Sequence, residues 1–158
     1  MVQHYDPYKF SPKNSLGYLL KTNHTLMHEC ADRVFANHDI TFMQWLALVK
    51  LKDGFAETAS DLCRTLSHDN GAITRMLDQL ESRGFVERER SLQDRRVVKL
   101  SITDAGRAKL AELTPPFIEN LNKALEPFSA EEFAELNRLL GKLKMCLEQA
   151  SESEEEES

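Results

Sequence analysis

From residue 14 to 37 apolar side chains recur at helical spacing: Leu16, Leu19, Leu20, Met27, Cys30, Ala31, Val34 and Phe35 form one stripe. The spacing predicts a long amphipathic helix. Thr41 offers an oxygen to the free N–H groups of a second helix, which carries Phe42, Trp45, Leu46, Val49 and Leu51 and stops near Gly54. Thr58 with Asp61 reads as the capping pair of a short third helix holding Ala59, Leu62, Cys63 and Leu66. A fourth starts between Ser67 and Asn70 and puts Ile73, Met76, Leu77 and Leu80 on one face. It stops at Arg83-Gly84, where glycine fits a left-handed end.

The period then changes. Phe85–Arg90 and Arg96–Ile102 read as two short strands, because Val98, Leu100 and Ile102 alternate with Val97, Lys99 and Ser101. Ser91–Arg95 is a polar turn between them, so the pair makes a hairpin with a basic tip. Thr103 caps a fifth helix toward Pro127, which Pro115-Pro116 should bend or interrupt, since proline lacks a donor and clashes one turn back. Ser129 with Glu132 opens a sixth helix with Phe133, Leu136, Leu139, Leu140, Leu143 and Leu147 on one side. The expected fold is mainly α with a small β-hairpin wing, and no internal repeat is present.

Helix, short turn, helix, then hairpin is the order of a winged helix-turn-helix. The second helix of such a pair suits a major groove about 12 Å wide. The side of the fourth helix away from its apolar stripe carries Ser67, Asn70, Gly71, Ala72, Thr74 and Arg75 near its start. Asn and Arg suit base edges, Thr suits a phosphate or a thymine methyl, and small residues let the backbone come close. The helix start also favours a phosphate. At the hairpin tip Arg95 and Arg96 stand beside Asp94. An arginine fits the negative minor groove, and a carboxylate can hold its guanidinium.

The net charge of −6 runs against nucleic-acid binding until its distribution is read. Arg83–Lys99 holds six Lys/Arg against three Asp/Glu, whereas Glu148–Ser158 holds six Glu and no base. That acidic end, 148–158, has no apolar residue after Ala150 and is expected to be a disordered tail. Cys30, Cys63 and Cys146 are widely spaced and odd in number, so they read as buried small hydrophobes rather than a disulfide framework. No apolar run reaches the roughly 20 residues of a membrane span, and Met1–Pro12 lacks the features of a signal peptide. A cytoplasmic location without membrane association is expected. GxSxG, HExxH and phosphate-loop motifs are absent, so no catalytic residue and no enzyme activity is expected, and no cofactor is implied.

The stretch LSHDNGAITRMLDQLESRGFV at Leu66–Val86, the triplet Asp94-Arg95-Arg96, LSITDAG at Leu100–Gly106 and DITFMQWLAL at Asp39–Leu48 together resemble the MarR (multiple antibiotic resistance regulator) family. The resemblance spans roughly residues 14–147. It implies a homodimeric transcriptional regulator on a pseudo-palindromic operator, often a repressor released by a small molecule. Residues 1–13 would be an N-terminal arm, 14–40 and 103–147 a helical dimerisation region, and 41–102 the DNA-binding lobe. Asn70, Ala72, Thr74 and Arg75 would face the major groove, and Arg96 the minor groove with Asp94 orienting it. The leucine-rich terminal helices independently suggest association.

The family commonly takes anionic aromatic compounds between these two regions. Lys21, His24, His28, Phe42 and Trp45, with Arg33 as another anion partner, are the candidates here, although aromatics at such spacing equally suit a core. Metal and redox control are alternatives. His24 and His28 stand one turn apart, but Cys30 is turned about 160° from His28 at about 100° per residue, and no metal site is assigned. No cation is evident beside Cys30 to activate it. A winged-helix protein-interaction module is the remaining alternative, disfavoured by the intact Arg95-Arg96 pair.

Overall fold

The computed structural model describes residues 3–156 apart from 92 and 95, with the side chains of 14 and 153–156 left aside. The elements run α1 (Leu16–Phe35), α2 (Phe42–Lys52), α3 (Ala59–Leu66), α4 (Asn70–Ser82), β1 (Val86–Arg90), β2 (Val98–Ile102), α5 (Asp104–Leu125) and α6 (Ala130–Glu156). A 3₁₀ turn at Pro12–Asn14 precedes α1, and Leu16 N–H donates to the Tyr5 hydroxyl at 2.8 Å, tying the arm to the helix start. The mainly helical architecture with one small hairpin agrees with the pattern of apolar positions.

Local chemistry sets the helix ends. Thr41 Oγ1 accepts the Gln44 N–H while Gln44 Oε1 accepts the Thr41 N–H, a reciprocal cap on α2. Thr58 and Asp61 do the same for α3. Several hydrogen bonds, led by the Thr58 hydroxyl, hold the Asp61 carboxyl below its ordinary range. Gly54 and Gly84 follow α2 and α4 at φ 74° and 71°, conformations that cost glycine little.

The chain comprises two compact units, residues 1–120 and 121–158. In the first, α2 is the central element: Phe42, Trp45, Ala47, Leu48 and Leu51 are buried together with Leu62 of α3 and Ile73, Leu77 and Leu80 of α4. Val86, Leu100 and Ile102 close this core from the hairpin, and Leu110, Leu113 and Phe117 from α5. The rings of Phe35, Phe42, Trp45 and Phe117 lie with centroids 4.8–6.0 Å apart, joining α1, α2 and α5. No break in packing follows residue 40: Ala31 and Phe35 of α1 are part of the same core as α2. The second unit holds the end of α5 and α6, whose cap is the expected pair: Ser129 N–H donates to Glu132 and Glu132 N–H to Ser129 Oγ.

Three expectations are corrected. Pro115-Pro116 does not interrupt α5, which runs unbroken through both prolines, because Leu110, Leu113 and Phe117 anchor it on either side. The acidic stretch expected to be disordered from Glu148 instead continues α6 to Glu156. Extending an existing helix needs no new nucleation, Glu is a fair helix former, and a Lys144–Glu148 pair at 3.2 Å supports the turn where the acidic run begins. The cysteines are not buried: Cys30 and Cys63 are half-buried and Cys146 is exposed, all as free thiols.

Candidate nucleic-acid interface

The α3–α4 turn is made by three residues. Ser67 ends α3 in the left-handed region, φ 54° and ψ 42°, and the next residue, His68, donates its N–H to Cys63 O at 3.1 Å. Asp69 then caps α4 by accepting the Ala72 N–H at 2.9 Å. That N–H, and more weakly the one of Gly71, hold the Asp69 carboxyl below its ordinary range. A side chain at Gly71 would press on this cap, since its Cβ would stand 3.2 Å from Asp69 Oδ1. The turn therefore sets Asn70 as the first residue of α4.

Burial divides α4 into two faces. Ile73, Leu77 and Leu80 are inside, whereas Asn70, Gly71, Thr74 and Arg75 are exposed and Ala72 is half-buried. Ser67 is also exposed, in the turn rather than on the helix. The Thr74 hydroxyl donates to Asn70 O at 2.7 Å, which leaves its methyl and a lone pair for a partner.

The wing pairs Val86 with Ile102 through Arg90 with Val98, antiparallel. Leu100 N–H also donates to Glu57 O at 2.8 Å, so the segment before α3 runs along β2, reinforced by Lys99 Nζ on Glu57 at 2.9 Å. At the tip Ser91 Oγ accepts the N–H groups of Gln93 and Asp94, and Asp94 Oδ1 accepts the Arg96 backbone N–H at 2.9 Å. The Asp94 carboxylate thus orders the tip backbone at Arg96. Arg96 is exposed; Arg95 lies outside the described residues.

Residues that the sequence left unremarked set the geometry between helix and wing. Arg88 of β1 bridges Asp78 and Glu81 of α4 at 2.7 and 2.9 Å. The i, i+3 carboxylate pair on α4 is the signal that could have found this clamp. Gln44 is buried at 4% exposure and donates from Nε2 to Gln79 Oε1 at 2.6 Å, linking α2 to α4. A polar residue amid the apolar α2 was its sequence signal. Cys63 Sγ donates to Asn70 Oδ1 at 3.0 Å, a contact with no sequence signal at all.

A family model described as MarR family matches residues 40–98. Over 125 residues the chain is 30% identical to the HTH-type transcriptional regulator PecS of Dickeya dadantii (strain 3937), a match covering 77% of this chain and 75% of that protein. The chain belongs to the MarR family. This MarR-family chain is also 29% identical over 125 residues to the HTH-type transcriptional regulator MgrA of Staphylococcus aureus, covering 77% and 82% of the two. Among solved structures it resembles a mutant MarR from E. coli complexed with operator DNA, with TM-score 0.72, 29% identity, and coverage of 85% of this chain and 99% of that one. The chain is thus a MarR-family transcriptional regulator of winged-helix fold, and its named relatives are regulators rather than enzymes.

In this MarR-family fold the candidate effector residues only partly converge. His24 and His28 lie with ring centroids 4.3 Å apart, and His28 meets the Phe42 ring edge-on at 5.2 Å. Burial, and then the neighbouring His24, push the His28 pKa below its ordinary value. Phe42 and Trp45 are buried among aromatic rings, yet the Trp45 Nε1–H has no acceptor among the described residues. Lys21 is exposed. Arg33 is turned to another use, its Nη2 donating to Cys30 Sγ at 2.9 Å, so a cation does stand beside that thiol. Among the described residues no three His, Cys, Asp or Glu gather into a metal-holding group, and no helix is long and apolar enough to cross a membrane.

Proposed function

We propose that this regulator is a homodimeric repressor that binds a pseudo-palindromic duplex operator and is released by a small aromatic anion. The observation that carries the reading is the exposed start of α4, with Asn70, Thr74 and Arg75, on a helix that Arg88 of the wing bridges through Asp78 and Glu81, with Arg96 exposed at the wing tip. A helix of this composition suits the major groove, and the wing arginines, Arg95 included, suit phosphate or the minor groove. Ser67, Ala72 and Asp94 shape the backbone that meets the DNA. The similar mutant MarR from E. coli is in complex with operator DNA. Dimerisation through 14–40 and 103–147 is supported by apolar side chains left open in a single chain: Leu16, Leu19 and Met27 on α1, Leu136, Leu139 and Leu147 on α6. Two-fold symmetry would then space the half-sites about 10 bp apart.

The wing makes the first test. Arg96→Ala should weaken operator and unrelated duplex alike and lower the slope of log affinity against log salt by about one unit. Fluorescence anisotropy titrations over a salt series read both quantities. An unchanged slope with unchanged affinity would remove Arg96 from the interface.

The effector is supported by the Trp45 N–H, which has no acceptor among the described residues, because a buried donor without an acceptor costs about 1–3 kcal/mol. An aromatic acid can supply the acceptor, with His24, His28 and Phe42 beside its ring and Lys21 as a candidate cation. In a thermal-shift screen of phenolic acids, a binder at a hundredfold its Kd should raise stability by about 2.7 kcal/mol. It should also release DNA, and Trp45→Phe should blunt both responses. A screen in which no acid shifts the wild-type protein would count against this class of effector.

A further inference from the structure

We infer that Cys63 is a positioning residue for base reading: its thiol fixes the amide of Asn70 so that the two Nδ2–H donors face outward. The inference rests on the proposal that the start of α4 reads DNA. Two bonds converge on Cys63. Its carbonyl accepts the His68 N–H at 3.1 Å, closing the α3–α4 turn, and its Sγ donates to Asn70 Oδ1 at 3.0 Å across that turn. Cys63 is half-buried on α3, whereas Asn70 is exposed at the first position of α4. The residue that shapes the turn therefore also holds a side chain on the face offered to the major groove.

An unheld asparagine amide presents either its oxygen or its nitrogen to a base edge, and it suits adenine by using both. Here the thiol takes one of the two lone pairs of the oxygen and draws it toward α3. The nitrogen is committed as donor, and it matches bases that show acceptors in the major groove: guanine through N7 and O6, or thymine through O4. It opposes cytosine, whose major-groove edge shows only a donor. A thiol is a weak donor, so it biases the amide without adding a charge that would grip every sequence. The hydrogen bond thus narrows what Asn70 accepts rather than strengthening binding in general.

The test uses the full-length protein and a duplex selected by the wild type from a randomised pool. Affinity is measured by anisotropy for all four base pairs at each half-site position. The proteins are wild type, Cys63→Ala, Cys63→Ser, Asn70→Ala and the Cys63→Ala/Asn70→Ala double variant, with melting temperatures confirming folding. Asn70→Ala should flatten preference at one position. Cys63→Ala should cut discrimination at that same position about two- to fivefold and move it toward adenine, as expected for loss of one hydrogen bond. Cys63→Ser, which keeps a donor, should restore the wild-type preference, and the double variant should match Asn70→Ala alone. Equal loss on all four base pairs, or additive effects in the double variant, would overturn the inference. Undiminished discrimination by Asn70→Ala would overturn it too while leaving DNA binding intact. A wild type that selects no duplex would instead defeat the DNA-reading proposal beneath it.

Discussion

Replacing Gly106 with alanine is expected to destabilise the protein by on the order of 3 kcal/mol, a large effect for a single methyl group. A Cβ at this position would stand 2.3 Å from Phe85 O and 2.7 Å from Ile102 Cγ1. The first of these atoms is backbone and cannot swing aside. It also accepts the Thr103 N–H at 3.1 Å, in a knot where Thr103 Oγ1 donates to Gly84 O at 2.6 Å and accepts the Gly106 N–H at 3.0 Å. Pushing α5 away would strain these bonds together and shift β2 relative to α4. Urea unfolding reads the loss as a lower midpoint at unchanged slope. A midpoint within error of wild type would mean that the close approach is not maintained in solution. DNA affinity should fall at temperatures where the variant is still folded, because the wing is displaced with the hairpin.

Arg75→Ala should have the largest effect on sequence preference, about 1–3 kcal/mol at one base pair and little elsewhere. Arg75 is exposed on the side of α4 opposite the buried Ile73, Leu77 and Leu80. It lies within two turns of the helix start, where base contacts concentrate in this fold. A guanidinium there matches guanine O6 and N7 with two parallel donors, which a lysine cannot reproduce. Anisotropy on the selected duplex and its single-pair variants should show loss at one position and retention elsewhere. Equal losses on every duplex would reassign Arg75 to a phosphate. Asn70 and Arg75 both lie near the start of α4, and a double variant would measure any coupling between them.

Much of the local structure was legible along the chain. Thr41, Thr58 with Asp61, and Ser129 with Glu132 announce helix starts because capping acts over only a few residues. Strand alternation at Leu100 and Ile102 is equally local. Expectations failed where a local rule met longer-range context. Pro115 and Pro116 suggest a break, but packing on either side carries α5 through. The acidic end reads as disorder by composition, yet it is appended to a helix that is already formed. Cys63 and Cys30 read as inert hydrophobes because nothing in spacing shows that one meets Asn70 and the other Arg33.

The sequence by itself determined the kind and order of the helices and strands, which face of α4 is apolar, and where positive charge collects, because periodicity, capping and charge are short-range properties. Only the tertiary structure decided how those pieces are held. Arg88 reaches back to Asp78 and Glu81, Gln44 reaches Gln79, and Gly106 lets α5 touch Phe85. Each joins residues at least seven positions apart, and such distances are set by how the elements pack. The same holds for the interface. Asn70 is marked by its place on α4, but its contact with a thiol on another helix comes only from packing.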